Sequence, residues 1–500
     1  MQRPLLVSVF IVASCGLAYE LIAGALASYL LGDSVMQFST VIGVYLFAMG
    51  IGSWLSKHVV GNLLVRFIQI ELLVGLLGGL SAGLLFLLFT LHSGPFRLAL
   101  YGLVLLIGIL VGLEIPLIMR ILRREVAFKD LVAQVLTFDY IGALAVSVLF
   151  PVLLAPHLGL VRSALLFGLL NALVAAWALW LFRGQIGAMP ALRAQCVAVI
   201  GFLAIGFGFA GTFVSLAEAN LYNEDIVHAE SSPYQRIVVT RWRDDLRLYL
   251  NHNLQFSSHD EYRYHEALVH PGLAASPGAR RVLVLGGGDG LAVREILKYP
   301  QVESITLVDL DPRMTQLFSQ SAMLVELNRG ALDSPKLKII NADALQWLDQ
   351  TQEMFDFVVA DFPDPSNHSL GKLYSTAFYR LLKQHVAESG LIVVQATSPL
   401  YARESFWTVV ATLEAAGWQT APYHALVPSF GEWGFILAGR REYRPPAAIP
   451  VPTRFLTPDA LPALFHFPAD MARVPAEPNR LDNQNLVRVF EREWGRVQTH

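Results

Sequence analysis

Four aspartates in the C-terminal half of the chain stand where short apolar segments end. They are Asp289 in "VLVLGGGDG", Asp309 in "LVDLD", and Asp361 and Asp364 in "VVADFPDPSNH". Carboxylates gathered near one pocket are costly to desolvate unless cations compensate them. A carboxylate can also strip or orient the proton of an ammonium, which an amine needs before its nitrogen has a lone pair to attack with. Gly286, Gly288 and Gly290 follow the first apolar segment in G-x-G-x-G spacing. Without side chains they let the backbone approach a ligand closely and take positive φ.

The ligand these residues imply carries a nucleoside. Asp309 comes about twenty residues after the turn, where an acid accepts hydrogen bonds from a ribose, and Asp343 in "NADA" is positioned to meet an adenine amino group. A dinucleotide enzyme would use G-x-G-x-x-G with pyrophosphate on the helix N-terminus. Here residue 291 is leucine and Asp289 would repel phosphate. The electrostatics favour a ligand that is positive near the turn, such as the sulfonium and amine end of an adenosylmethionine relative, with a polyamine beside it. Two plainer readings stand next to this one: Asp289 as a cap of the following helix, and Asp361 and Asp364 as solvated residues of a loop before a proline.

The elements that must position these residues follow from periodicity. From 276 to 440, strand-like and helix-like segments alternate, which predicts a doubly wound, Rossmann-like sheet of the class I methyltransferase type. From 220 to 275, short alternating segments broken by Asn, Ser and Asp predict a small antiparallel sheet, over about 222–258, at the start of the same catalytic part. The stretch 441–500 holds nine of the 26 prolines and ends in "NQNLVRVFEREW", an extended wrap or linker closing in one amphipathic helix.

The residues before 220 read differently. The chain of 500 residues is 54% hydrophobic and 15% charged, with mean hydropathy +0.48, too apolar for an ordinary soluble enzyme. The excess lies in 1–219, where seven apolar stretches of about 20 residues or more, the length that crosses a bilayer as helix, cover 5–31, 36–56, 67–92, 97–121, 131–156, 161–182 and 193–216. A lipid bilayer is the expected partner of this half. "VASC", ending at Cys15, could pass for a lipoprotein box, but the apolar run continues beyond it, so an uncleaved span is expected. Cys196 is the only other cysteine, so neither a disulfide nor a zinc framework is expected, and no metal is. The net charge of −3 argues against nucleic acid as a partner.

"SSPYQ", "DEYRYHEALVHPGL", "VLVLGGGDG", "VDLD", "NADA" and "DFPDP" occur in the order and spacing of the spermidine synthases, the polyamine aminopropyltransferases, which the chain resembles over about 222–440. The apolar stretches resemble those of the membrane-bound bacterial branch. The resemblance implies transfer of a 3-aminopropyl group from decarboxylated S-adenosylmethionine to putrescine or a related amine, giving spermidine and 5'-methylthioadenosine, without a metal. It implies Asp361 as proton acceptor, with Gln235, Gly286, Gly288, Asp289, Asp309, Asp343 and Ala344 around the donor. Tyr264, His265, Asp289, Asp361 and Asp364 would hold the substrate amines, and a homodimer is a prior of the family. His265 could equally be an ordinary polar residue of a half-buried helix. The sequence departs from the soluble members at His368, where a proline is usual, and at "VPSFGEWGF" with Phe430 and Glu432, where a tyrosine usually lines the acceptor channel. Two rivals remain: a methyltransferase, which commonly has an acid where Val284 stands, and a transporter or sensor that binds polyamine without turnover.

Glu20, Glu71, Glu114 and Asp139 lie within the apolar stretches. Such acids usually face a bundle interior or an aqueous cavity. They are candidates for a cation path, or for internal pairing, for example with Arg120. Lys57, Arg66, Arg123, Arg124, Lys129, Arg183 and Arg193 fall in even-numbered loops, against Arg97 and Arg162 in the others. The positive-inside rule then puts the even loops in the cytoplasm and, with seven spans, the catalytic part outside. The cytosolic donor argues for an inner-membrane protein with a cytoplasmic catalytic part.

Overall fold

The computed structural model describes residues 2–31, 34–91, 96–123, 128–186, 189–222 and 224–497; Arg124 lies outside them. The chain divides into two compact units, Met1–Asp225 and Ile226–His500.

The first unit is a helical bundle: α1 (Gln2–Leu31), α2 (Ser34–Leu55), α3 (Leu63–Leu91), α4 (Phe96–Leu122), α5 (Phe128–Leu149), α6 (Ala155–Leu181) and α7 (Met189–Tyr222). Among the described residues, six helical stretches are long and apolar enough to cross a membrane. The expected fifth and sixth stretches are one of them, Lys129–Leu181, continuous through a π-helical Phe150–Leu154. Gly159, at φ 74° and ψ 171°, breaks it. Ser14 of α1 donates to the carbonyl of Gly142 at 3.1 Å, and its neighbour Cys15 donates to that of Phe167 at 3.5 Å. The two arms of this stretch therefore flank the same turn of α1, and the chain doubles back at the glycine. With little hydrophobic drive between helices in lipid, close backbone approach supplies the cohesion. A Cβ on Gly112 of α4 would stand 2.2 Å from the carbonyl oxygen of Met49 in α2, and one on Gly168 of α6 would stand 2.5 Å from that of Gly75 in α3.

The second unit opens with the antiparallel sheet β1 (Asp225–Ser231), β2 (Arg236–Trp242), β3 (Asp245–Leu250) and β4 (Asn253–Ser257), followed by α8 (Glu261–Ala274). Then come β5 (Arg281–Gly286), α9 (Leu291–Ile296), β6 (Ser304–Asp309), α10 (Pro312–Gln320), α11 (Ala322–Asn328), β7 (Leu337–Asn341), α12 (Ala344–Gln350) and β8 (Phe355–Asp361). The chain continues through α13 (His368–Gly371), α14 (Thr376–Gln384), β9 (Val386–Gln395), α15 (Arg403–Ala415), β10 (Gln419–Val427), β11 (Gly431–Gly439) and α16 (Asn485–Val497). The large sheet runs β10-β11-β9-β8-β5-β6-β7. Its β5 to β9 core is parallel, as the alternation predicts, whereas β11 is antiparallel to both β9 and β10. Only a short turn separates β10 from β11, too short for the crossover that parallel neighbours require. β5 lies buried on both faces, with Val282 and Val284 in one core and Leu283 and Leu285 in the other, which explains its unbroken apolar run.

The tail is held along its length. The Glu266 carboxylate accepts the N–H groups of Arg454, Phe455 and Leu456 at 2.6 to 2.9 Å. Glu493 caps α15, accepting the N–H groups of Glu404 and Ser405 at 2.9 Å.

Candidate active site

Chain order reverses at β5, whose neighbours are β6 and β8. In open α/β sheets the crevice at the carboxyl ends of such strands is where ligands bind. The register decides which residues meet there. Gly286 pairs with Asp361 across β5 and β8, and Asp309 pairs with Asn341 across β6 and β7. Asp289 follows in the turn, and Asp364 in the loop after β8.

Each acid is fixed by the fold. Asp309 accepts the N–H of Gly288 at 3.0 Å and that of Asp311 at 2.8 Å; burial outweighs these bonds and pushes its pKa up to about 6. A Cβ on Gly288 would stand 2.7 Å from the Asp309 carboxylate, so glycine here makes room for the acid itself. Asp289 accepts the Leu291 N–H at 2.9 Å, but the N-cap of α9 is Gly290, so the acid stands one residue ahead of the cap. Burial raises its pKa, opposed by the charge of His265. Asp361 accepts the Tyr264 hydroxyl at 2.6 Å. Burial lifts it to about 6, against the pull of His265 and with the push of Asp289. Asp364 accepts from Thr397 Oγ1 at 3.2 Å, with Gln395 Nε2 at 3.5 Å, and burial lifts it to about 7.

His265 stands among these acids. It is buried, and its Nδ1 meets Glu261 Oε2 at 2.8 Å. Desolvation pulls its pKa down, but Glu261, Asp289 and Asp361 overcome that and raise it. Glu261 is in turn gripped by both terminal nitrogens of Arg294, at 2.8 Å each, and Arg294 continues to Glu295, which also bonds His270 at 2.9 Å. The sequence reading missed this buried ion network. Glu261 and Arg294 lie 33 residues apart, and no local spacing links them.

Gln235 and Asp343, two residues expected around the donor, are both engaged by the protein itself. Gln235 donates to Asp311 at 3.0 Å rather than standing free, with Ser232 on the same oxygen at 2.6 Å. Asp343 caps α12 through the N–H groups of Leu345 and Gln346, placing the buried Ala344 at the helix start, and its other oxygen meets Lys372 Nζ at 2.5 Å. Burial opposes ionisation of Asp343, but Lys372 and the cap bonds win and lower its pKa. Were Asp343 to meet an adenine amine, as the family resemblance implies, that amine would have to share or displace the Lys372 ammonium. Replacing Lys372 by methionine is therefore expected to tighten methylthioadenosine binding by about threefold, the worth of one partly exposed ion pair, as read by calorimetry.

Around Asp364 the structure adds Tyr374, Gln395, Thr397 and Trp494, which the sequence did not flag, to the segment of Phe430 and Glu432, which it did. Tyr374 donates to the carbonyls of Phe362 and Pro363 at 3.2 Å, pinning the "DFPDP" loop. Trp433 Nε1 donates to Gln395 Oε1 at 3.1 Å. From the tail, Trp494 Nε1 donates to Thr397 Oγ1 at 3.3 Å, one bond from Asp364. Phe430 packs on Tyr264 with ring centroids 6.3 Å apart, whereas Glu432 turns to His424 at 2.8 Å. His368 is exposed at the start of α13.

Residues 261–445 match the model of the spermine/spermidine synthase domain. Polyamine aminopropyltransferase 2 of Ralstonia nicotianae is 62% identical over 498 residues, covering 98% of each chain. The chain belongs to the polyamine aminopropyltransferases. Another member, the polyamine aminopropyltransferase of Leptospira interrogans, is 52% identical over 99% of this chain and 100% of its own. A crystal structure of spermidine synthase with the transition-state analogue AdoDATO matches 49% of this chain and 86% of its own, at 23% identity and TM-score 0.46. As an aminopropyltransferase the protein is an enzyme acting on polyamines, and neither the methyltransferase nor the non-catalytic reading is favoured. Its bundle and its tail after 445 lie outside the matched domain, yet both are shared with full-length relatives.

Proposed function

We propose that the enzyme transfers the 3-aminopropyl group of decarboxylated S-adenosylmethionine to putrescine or a related diamine, releasing 5'-methylthioadenosine. The observation that carries this is the convergence of Asp289, Asp361 and Asp364 at one sheet edge, with Tyr264 and His265 against them. In this reading Asp309, Gln235, Asp343 and Ala344 face the nucleoside, and Asp289 holds the donor's ammonium, which a site reading a donor without a carboxylate can grip with an acid. Asp364 binds the far ammonium of the acceptor. Asp361 takes the proton of the attacking amine; Tyr264, donating to it, aims the free lone pair of the carboxylate. The sulfonium is already a good leaving group, so most of the rate comes from holding nitrogen in line with the carbon beside sulfur. Incubating the purified chain in detergent with each donor and a set of amines tests the reading. Methylthioadenosine is the expected product, and S-adenosylhomocysteine in its place would mean methyl transfer.

The acids also predict a pH profile. Asp361 and Asp364 are raised to about 6 and about 7, so both are ionised above that range and gain protons below it. Their charged forms bind and deprotonate the amine, so kcat/KM should fall as pH drops from 7 through 6, and Asp364→Asn should leave only the lower limb. Bound diammonium favours the ionised acids, so the limb in kcat should lie lower than that in kcat/KM.

The apolar helices suit insertion in the inner membrane, and a cytosolic donor calls for a cytoplasmic catalytic unit. The basic even loops argue for the opposite side. A reporter active only in the cytoplasm, fused at the C-terminus, gives signal if the donor argument holds.

A further inference from the structure

The bundle holds polar groups that the transfer reaction does not use. Glu71 of α3 and Glu114 of α4 are 0% and 1% exposed. Neither carboxylate oxygen of Glu71, nor Oε1 of Glu114, has a hydrogen-bond partner. Two further buried groups from other helices are also unpartnered: the hydroxyl of Tyr19 in α1 and both side-chain polar atoms of Asn171 in α6. They stand along one stripe of α3. Asn171 Cβ is 3.2 Å from where a Cβ on Gly75 would be, one turn beyond Glu71, and the Tyr19 ring is 2.4 Å from the corresponding point on Gly78. Glu71 and Glu114 are close enough to act on each other's charge, and both act on Tyr19.

The groups facing this pair supply no counter-charge. From α1 come Cys15, which donates to Phe167, and Tyr19; Glu20 acts on Tyr45. From α2 comes Tyr45, whose hydroxyl donates to the Gly16 carbonyl at 2.8 Å, and from α5 comes Asp139, another acid, which acts on Glu114. Among the described residues no basic side chain pairs with either glutamate. The expected partner, Arg120, donates instead to the carbonyls of Ser56 and Val59 at 2.7 and 3.0 Å, closing the end of α2. Two buried acids, one without any hydrogen-bond partner and the other with one bare oxygen, are sustained by protons or by a bound cation.

We propose that Glu71, Glu114, Tyr19 and Asn171 form an intramembrane site that binds a primary alkylammonium in exchange for a proton. An oxygen set of this kind suits ammonium or sodium. The surroundings favour the amine: Tyr19 and Tyr45 line one small cavity with Ser81, Ala23, Leu85 and Val104, and the faces of their rings are suited to an ammonium. Charge balances as one ammonium enters and one carboxyl proton leaves. The choice of an amine rests on the reading of the catalytic unit as a polyamine enzyme.

The full chain in liposomes, acidic inside, tests this with labelled putrescine and an internal pH dye. Expected is uptake about tenfold above protein-free liposomes, coupled to alkalinisation of the lumen, and lost about tenfold in Glu71→Gln and in Glu114→Gln, as removal of an essential intramembrane acid predicts. Tyr19→Phe should retain part of the flux. Aminopropyl transfer, assayed on the same preparations in detergent, should stay within about twofold, because the reacting groups are untouched. If Glu71→Gln loses transfer as well, Glu114→Gln and Tyr19→Phe decide. Flux unchanged in the glutamine variants, or proton movement driven by sodium and not by amine, overturns the proposal. Failure of transfer with amine uptake intact would overturn the enzymatic reading alone.

Discussion

Asp361→Asn is expected to lower kcat on the order of 1000-fold while leaving donor binding nearly unchanged. The amide occupies the same volume and can still accept the Tyr264 hydroxyl that bonds Asp361 at 2.6 Å, so the site keeps its shape. What it loses is the charge and the basic lone pair. An alkylammonium at neutral pH carries its proton tightly, and without a carboxylate in line the attacking nitrogen stays blocked. Single-turnover measurement of methylthioadenosine release, alongside calorimetric binding of methylthioadenosine itself, separates the two effects. A kcat within tenfold of the parent would assign the proton to another group.

The second large effect is on folding. Gly286 has φ +80°, and a Cβ there would stand 2.2 Å from the carbonyl oxygen of Asp361 on the neighbouring strand. Gly286→Ala adds the left-handed penalty of about 1–2 kcal/mol to an overpacking cost of about 1–3 kcal/mol. The neighbour is backbone and cannot rotate away, so the edge of β8 must move. Chemical denaturation of the variant should show a loss of roughly 2–5 kcal/mol in the catalytic unit, with activity falling further because Asp361 is carried along. The sequence reading assigned this glycine to close approach of a ligand. The structure adds that the first backbone to approach is the protein's own.

Much of the site was legible because strand ends are local features. "VLVLGGGDG", "LVDLD" and "VVADFPDP" each announce a buried strand followed by an acid, and parallel strands of one sheet deliver those acids to one edge. The pairing of Gly286 with Asp361 follows from that topology. The β10–β11 hairpin was not anticipated, because an apolar strand reads the same in either direction. The break between the stretches 131–156 and 161–182 was legible, and Gly159 makes it; that the helix would become π-helical over Phe150–Leu154 on its way to that glycine was not.

What the sequence by itself determined is the order of units, the strand-and-helix alternation, and the acids that gather at one sheet edge, because each depends on residues near one another in the chain. Only the tertiary structure decided how those acids are compensated. The Glu261–Arg294 ion pair that steadies His265, the Lys372 ammonium on Asp343, and the reach of Trp494 to Thr397 beside Asp364 all join distant segments. Such contacts leave no local periodicity, since burial and charge pairing act through space and are indifferent to separation along the chain.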